Sequence, residues 1–178
     1  MTTIGVVSRL ERIKGMDLVI PAFAKVHSAF PDVRLLIVGD GSLRQSMLSQ
    51  AEEACVTDFV EFAGRQPQDK LQNFYDRIDI LLMPSRSEGF GLTAIEGMAR
   101  GCVPVVSDTG GLPEVVRNGK DGLLHEPENA EDMAAKIKRL VEEPRLMVHL
   151  SANALKRAED FSQERYNSEI LAWYSSLV

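Results

Sequence analysis

The chain has 178 residues, of which 44% are hydrophobic, and this is enough to build the core of one domain of ordinary size. Its 20 lysines and arginines are outnumbered by 26 aspartates and glutamates, and the net charge of −6 argues against general binding to nucleic acid, whose phosphates require a basic surface. A small anionic ligand is not excluded, because a local pair of basic residues is enough to bind one.

Short aliphatic runs recur along the chain and predict six β-strands. Several runs are apolar without alternation, which is typical of parallel strands covered on both faces. The predicted strands span residues 3–8, 33–39, 59–63, 78–83, 103–107 and 122–125.

Segments with helical periodicity separate these strands and follow the last one. The predicted helices span residues 16–30, 43–54, 69–77, 93–100, 113–117, 130–142, 144–160 and 162–177. Pro21 should either kink the first helix or mark a late start. Ser42 is the expected N-cap of the second helix, Gly101 should end the fourth, and Pro113 should begin the fifth.

Strands that alternate with helices predict an α/β fold: a doubly wound, Rossmann-like parallel sheet with helices on both faces, formed by a single domain over residues 1–178. Ligands of such sheets bind beyond the carboxyl ends of the strands. Glycine, basic and acidic residues follow five of the strands, in the segments SRLERIKG, GDGS, GRQP, PSRSEGFG and DTGGLPE. We therefore expect a ligand site at this edge.

Arg9 and Lys14 follow the first predicted strand with four residues between them. A guanidinium and an ammonium this close can clamp a diphosphate, the arginine through its planar fork and the lysine as a point charge. The alternative is two solvated surface charges.

The segment GDG, which contains Gly39 and Gly41, resembles the start of a dinucleotide-binding fingerprint, but Arg44 stands where the third glycine belongs. The alternative is a glycine turn capped by Ser42. We interpret the two glycines as a wall of the pocket and rank an NAD-binding domain last among the candidate functions.

Two glutamates flank the segment EGFGLTAIE. Thr93 and Glu96 match a capping box, which would explain Glu96 without a ligand. The capping box does not explain Glu88, nor the two glycines that would let the backbone approach a ligand and present N–H groups to it. Carboxylates beside such a loop are suited to accept hydrogen bonds from sugar hydroxyls. Alternatively, Glu88 is an exposed charge and Phe90 a core residue.

The segment DTGGLPE repeats this arrangement after the fifth strand. Gly110 and Gly111 permit a close approach of a ligand, and the helix that begins at Pro113 turns its amides to the same edge. The alternative is a tight turn followed by a capped helix.

Histidines, cysteines and late aromatic residues add little. The three histidines lack metal-ligand spacing, although His125 follows the last strand and could approach the site. Tyr166 and Trp173 share a helix face and should pack. Cys55 and Cys102 have no disulfide or metal spacing, and neither a secretory signal nor an apolar run of roughly 18 residues is present. We therefore expect a reducing, cytoplasmic setting without a transmembrane segment.

Taken together, the order and spacing of the motifs resemble the donor-binding half of retaining glycosyltransferases of family 4, which have the two-domain GT-B fold. The resemblance covers nearly the whole chain. The segments that carry it are SRLERIKGMDLVIPAF, LLIVGDGSLR, VEFAGR, LLMPSRSEGFGLTAIEGMARGCVPVV and TGGLPEVVRNGKDGLL.

The resemblance implies a role for each matched residue. Arg9 and Lys14 would hold the diphosphate of a nucleotide-sugar donor and stabilise the leaving phosphate, Glu88 would contact a hydroxyl of the donor sugar, and Glu96 would accept hydrogen bonds from the ribose. The resemblance also implies that the backbone N–H groups of Phe90, Gly91 and Leu92 meet the sugar and a phosphate oxygen, and that Arg65 and Gln66 border the base. The motifs themselves add five glycines to the candidate substrate-binding residues: Gly89 beside Glu88, and Gly39, Gly41, Gly110 and Gly111 in the walls.

The resemblance also implies an activity: transfer of a hexose-type sugar from a UDP-, GDP- or ADP-sugar to a glycan, lipid-linked or small-molecule acceptor, with retention and without a metal or other cofactor. The two-carboxylate scheme of glycoside hydrolases should not apply to Glu88 and Glu96, because this family has no obligatory protein nucleophile.

The N-terminal acceptor-binding domain of the family has no match in the chain. We therefore expect an excised domain, or one of two polypeptides, that binds the donor but is inactive alone. Any peripheral contact with a membrane would be made through the missing half. The alternative function is a non-catalytic interaction or regulatory module derived from a transferase half.

Overall fold

The computed structural model describes residues 1–162 and residue 165. The predicted helix over residues 162–177, with Tyr166 and Trp173, therefore lies almost entirely outside the described residues.

All six predicted strands form, and they build one parallel sheet. They are β1 (Thr3–Val7), β2 (Arg34–Val38), β3 (Val60–Gly64), β4 (Ile80–Met83), β5 (Val103–Ser107) and β6 (Leu123–His125). The strand order is β3-β2-β1-β4-β5-β6, and every neighbouring pair is parallel. The chain builds outward from β1 to β3 and then returns to add β4 on the other side of β1. The loops after β1 and β4 therefore diverge at this switch point and leave a crevice, where sheets of this kind bind ligands.

Within the described part of the chain, seven α-helices connect or follow the strands. They are α1 (Val19–Ala29), α2 (Arg44–Glu53), α3 (Leu71–Tyr75), α4 (Leu92–Met98), α5 (Leu112–Val115), α6 (Ala130–Glu142) and α7 (Pro144–Glu159). Pro21 lies in the first turn of α1, where backbone N–H groups have no partner within the helix. Of the two outcomes predicted for Pro21, the structure has the late start.

The helices cover both faces of the sheet. Alternate strand residues such as Ile4 and Val6 pack with α1, α2 and α6 on one face. On the other face, Val7 and Leu81 pack with α3, and Met83 with α4, α5 and α7. Burial on both faces explains why the strand sequences are apolar without alternation. None of the described helices is both long and apolar enough to cross a membrane.

The predicted N-cap at Ser42 is wrong. Helix α2 begins at Arg44 and has no side-chain cap. The hydroxyl of Ser42 instead donates to Oε2 of Glu11 (2.6 Å), and its amide donates to Oε1 of the same carboxylate (3.1 Å). This pair joins the loop after β1 to the loop after β2, so the two loops form a common wall of the crevice.

Candidate functional site

Most of the predicted site residues line two adjoining pockets that the described residues form at the carboxyl edge of the sheet. The Lys14 pocket, of about 370 Å³, lies between the loops after β1 and β4. The Glu96 pocket, of about 550 Å³, lies above β1 and β2 and reaches α3 and α4. Polar and glycine residues of the first are Ser8, Arg9, Lys14, Ser85, Glu88, Gly91 and Thr93, and those of the second are Ser8, Arg9, Gly39, Asp40, Arg65, Gln66, Gln68, Tyr75, Thr93 and Glu96. The pockets meet at the four residues that line both, which are Val7, Ser8, Arg9 and Thr93.

Lys14 and Glu88 form an ion pair inside the Lys14 pocket. Nζ of Lys14 lies 2.7 Å from Oε2 of Glu88, and the two side chains are only 22% and 16% exposed. Lys14 ends a short 3-10 helix (Arg12–Lys14), whereas Glu88 lies in the loop between β4 and α4. The alternative of a solvated surface charge is therefore wrong for Lys14, and that of an exposed charge is wrong for Glu88; Arg9, by contrast, is exposed.

Arg86 ties together the loops that carry these two charges. Its guanidinium donates to both carboxylate oxygens of Asp17, at 2.7 and 2.9 Å, and also to the backbone carbonyl of Arg12. Its own amide donates to the carbonyl of Ile13 (2.9 Å). The bonds from Arg86 hold the pKa of Asp17 below its usual value. Sequence reasoning missed Arg86, although a basic residue within a glycine-rich loop after a strand was the signal.

Gly110 and Gly111 support the Glu88 loop from behind. Gly110 has φ of +55°, and a Cβ there would lie 2.1 Å from the carbonyl oxygen of Glu88. The amide of Gly111 donates to that same oxygen (3.1 Å). The predicted close approach is therefore to backbone, and neither glycine lines the two pockets.

The segment between Glu88 and α4 forms the outer rim of the Lys14 pocket. Phe90 and Leu92 are 51% and 64% exposed, so the alternative of Phe90 as a core residue is wrong. The Phe90 ring meets Phe161 edge-on, with centroids 5.9 Å apart. The amides of Phe90, Gly91 and Leu92 donate no hydrogen bond within the described part of the chain. Gly89 is exposed and lines neither pocket.

Arg9 lies at the junction of the two pockets. Its side chain is exposed and makes no hydrogen bond or ion pair with any described residue. The hydrogen bonds from Ser42 lower the pKa of the Glu11 carboxyl, and the charge of Arg9 lowers it further, so Arg9 lies within electrostatic reach of Glu11. Lys14, which lines the Lys14 pocket together with Arg9, is already paired with a carboxylate.

The carboxylate of Glu96 is held by two other side chains. Its Oε2 accepts from the hydroxyl of Tyr75 (2.7 Å), and its Oε1 from Nε2 of Gln68 (3.1 Å). The predicted capping box is wrong, because α4 begins at Leu92 and places Thr93 within its first turn without a side-chain cap. Helix capping therefore does not explain the position of Glu96.

Tyr75 is only 3% exposed, and burial together with the Glu96 bond raises its pKa, so its phenol stays protonated and donates. Sequence reasoning missed Tyr75, because its relation to Glu96 depends on how α3 packs beside α4.

The far wall of the Glu96 pocket contains three of the predicted residues, Gly39, Arg65 and Gln66. Gln66 is anchored by its side-chain amide, which donates to the carbonyl of the preceding strand β3 (2.7 Å). Gly41 instead packs against the backbone of Leu10 and lines neither pocket.

His125 lies away from the pockets. It is 1% exposed, and its Nδ1 lies 2.8 Å from the carbonyl oxygen of Glu126. Burial lowers the pKa of the imidazole. Among the described residues, no three His, Cys, Asp or Glu side chains are grouped so that they could hold a metal ion.

Comparison with known proteins gives a family match over most of the chain. The family model of glycosyl transferases group 1 matches residues 2–157. A D-inositol 3-phosphate glycosyltransferase of Rhodococcus erythropolis is 36% identical over 175 residues, which cover 94% of this chain and 40% of the relative. The chain thus spans about two fifths of the length of such curated relatives.

Solved structures match over similar portions. HepE of Anabaena in complex with UDP superposes with a TM-score of 0.88 at 25% identity, over 98% of this chain and 48% of HepE. The complex of HepE with UDP-glucose gives 0.86. The C-terminal domain of the group 1 glycosyl transferase LpcC from Francisella tularensis superposes with a TM-score of 0.81 at 22% identity, over 89% of this chain and 84% of that domain, a likeness of fold alone.

Proposed function

This chain belongs to the glycosyl transferases group 1 family, with the fold of the donor-binding half of a GT-B enzyme, and we propose that its two joined pockets bind a nucleoside-diphosphate sugar. The observation that carries this proposal is the position of Arg9 where the two pockets meet, beside the switch point of the sheet, with its guanidinium bonded to no other side chain of the described residues. The sugar would occupy the Lys14 pocket, the nucleoside the Glu96 pocket, and the diphosphate the junction.

The diphosphate would lie between Arg9 and Lys14. Charge builds up on the leaving phosphate during sugar transfer, and cations that are already in place stabilise it at little reorganisation cost. The unbonded amides of Phe90, Gly91 and Leu92 would add donors at the boundary between phosphate and sugar.

The two glutamates would recognise the hydroxyls at opposite ends of the donor. Glu88 faces the Lys14 pocket and would accept from a sugar hydroxyl, whereas Glu96 would accept from the ribose. Arg65 and Gln66 line the far wall of the Glu96 pocket and would border the base.

The reaction we propose is transfer of a hexose-type sugar with retention of configuration to an acceptor that is bound outside this chain. Since the chain spans 40% of a curated relative, we infer that it binds the donor alone but does not transfer the sugar. HepE binds UDP and UDP-glucose, and this favours UDP among UDP, GDP and ADP as the first nucleotide to test.

The proposal is tested by calorimetric titration of the chain with UDP, GDP and ADP. We expect one of them to bind with a Kd on the order of 0.1–1 mM, because the open pocket forgoes the contacts of a closed cleft. Arg9→Ala and Glu96→Ala should each weaken this binding, whereas the exposed Arg145→Ala and Glu142→Ala, matched in charge change, should not. Absence of binding by all three nucleotides, or no effect of either site variant, would overturn the proposal.

Catalysis needs a separate test, because a non-catalytic module could retain a nucleotide site. The acceptor-binding half of a related transferase is added in trans and transfer from UDP-glucose is measured. If the wild-type chain supports transfer and Lys14→Met does not, the chain is the donor-binding half of an enzyme. If the wild-type chain binds the donor but supports no transfer, the non-catalytic alternative is favoured.

A further inference from the structure

We propose that Tyr75 is a positioning residue for the nucleotide ribose, because its hydroxyl holds the Glu96 carboxylate with one free acceptor site on each oxygen. This inference rests on the proposed function, since it takes Glu96 to be the group that binds the ribose.

Tyr75 is a rigid anchor. Its ring is buried at the end of α3 in a cluster that includes Val38, Leu81 and Cys102, and Sγ of Cys102 lies 3.4 Å from the Tyr75 carbonyl oxygen. A side chain so enclosed has no second rotamer available without repacking its neighbours. Its hydroxyl therefore sets where Oε2 of Glu96 lies, 2.7 Å away.

The hydrogen bonds in place leave an acceptor pattern that matches a vicinal diol. An ionised carboxylate offers about four lone-pair sites, two on each oxygen. Tyr75 occupies one site on Oε2 and Gln68 one on Oε1, so each oxygen of Glu96 keeps one. The 2′- and 3′-hydroxyls of a ribose are neighbouring donors, and one can bond to each oxygen.

Gln68 and Tyr75 contribute differently to this arrangement. Gln68 is exposed in a short 3-10 helix (Gln68–Lys70), so its amide can move aside at little cost when a ligand enters. The Tyr75 hydroxyl cannot move aside without disturbing the core. Burial raises the pKa of the phenol, so the hydroxyl stays protonated and donates to Glu96.

Tyr75→Phe removes the hydroxyl and keeps the buried ring, so the core stays packed. The probes are UDP and 2′,3′-dideoxyuridine diphosphate, titrated by calorimetry. We expect the variant to bind UDP about tenfold more weakly, because a Glu96 carboxylate that Tyr75 no longer holds in place must be ordered when the ribose binds. The affinity of the variant for the dideoxy nucleotide should change by less than about twofold, since that nucleotide lacks the hydroxyls that would donate hydrogen bonds to Glu96.

Two further variants serve as controls. Asn73→Ala alters an exposed position of the same helix and should leave the affinities for both probes unchanged. In a Glu96→Ala background, Tyr75→Phe should have no further effect on UDP binding, because the two side chains act as one unit.

The outcomes separate this inference from the proposed function. If wild type binds UDP, and Tyr75→Phe weakens the binding of both nucleotides equally or of neither, the positioning role is overturned while donor binding stands. If wild type binds no nucleoside diphosphate, both are overturned. Weaker binding of UDP with little change in binding of the dideoxy nucleotide supports the role of Tyr75, since a general loss of stability would weaken the binding of both alike.

Discussion

Nζ of Lys14 lies 2.7 Å from Oε2 of Glu88, so the cation proposed to bind the diphosphate is paired with the carboxylate proposed to bind the sugar. The pair has consequences for binding. The negative charge of Glu88 neutralises part of the attraction of Lys14 for phosphate, and it stands close to where the phosphate would lie.

Glu88→Gln should therefore strengthen the binding of UDP, by about three- to tenfold, because it removes a competing negative charge but keeps the shape of the side chain. UDP-glucose should gain less than UDP, since the sugar loses a strong acceptor. Lys14→Met should weaken the binding of both by about tenfold or more. Calorimetric titration of the two variants measures these changes, and weaker UDP binding by Glu88→Gln would contradict the assignment.

Arg86→Ala should destabilise the protein and weaken diphosphate binding together. Arg86 and Asp17 are only 15% and 25% exposed, so loss of the guanidinium leaves a half-buried carboxylate without its partner, at a cost of about 2–4 kcal/mol. The loops that bear Lys14 and Glu88 would also lose the side-chain bonds of Arg86, and would stay joined by the Lys14–Glu88 pair and the backbone bond to Ile13. We expect the affinity for UDP to fall more than the affinity for uridine, and calorimetric titration of both ligands measures this difference. Urea unfolding measures the change in stability.

Arg100→Ala is the matched control for Arg86→Ala. Arg100 makes a similar bidentate ion pair with Asp76, but these two side chains are 42% and 45% exposed. Its removal should cost less than about 1 kcal/mol and leave UDP binding unchanged. A comparable loss of stability in both variants would mean that burial of the Arg86 pair is not what makes it stabilising.

Gly110→Ala should displace the Glu88 loop. The added Cβ would lie 2.1 Å from the Glu88 carbonyl oxygen, and φ of +55° is already unfavourable for alanine. Gly119→Ala has only the unfavourable backbone conformation, because φ there is +72° and no atom lies within 4 Å of the added Cβ. We expect Gly119→Ala to cost about 1–2 kcal/mol, and Gly110→Ala to cost more and also to weaken the binding of UDP-glucose. Equal unfolding free energies for the two variants would show that the close contact is readily relieved.

His125 should make the protein less stable as the pH falls from about 7 to about 5. Burial lowers the imidazole pKa in the folded chain. The hydrogen bond with the Glu126 carbonyl and the charge of Asp132 partly offset this, and the charge of Lys136 adds to it. The unfolded chain keeps a pKa near 6.5. The unfolded state then binds more protons as the pH falls through about 6.5 towards the folded pKa, and the free energy of unfolding decreases. The carboxylates of Asp17 and Asp132, with pKa values below the ordinary ones, lose their contribution only at lower pH.

Urea unfolding of wild type and His125→Gln at pH 7.5 and 5.0 measures this effect. The decrease in unfolding free energy between the two pH values should be smaller in the variant, whatever its absolute stability. An equal decrease would assign the pH dependence to other groups.

The six strands and the layered fold were predictable because their information is local. Apolar runs identify strands buried on both faces, and helical periodicity identifies the segments that cover them. Since parallel strands place their carboxyl ends along one edge, the predicted parallel sheet also placed Arg9, Lys14, Glu88 and Glu96 at the same edge. Caps were predicted less well: Ser42 and Thr93 have capping sequences, but the helices begin at other residues, and Ser42 bonds to Glu11 across two loops.

The sequence by itself determined the order of elements, the edge at which ligands would bind and the residue types available there. Only the tertiary structure decided which of those side chains meet: Lys14 with Glu88 across 74 residues, Arg86 with Asp17 across 69, and Tyr75 with Glu96 across 21. Local propensity reports the conformation of a segment, whereas such pairs depend on how strands register and how loops cross above them. For that reason the supporting residues Arg86 and Tyr75 emerged from the fold, and the glycines at 110 and 111 proved to brace the Glu88 loop.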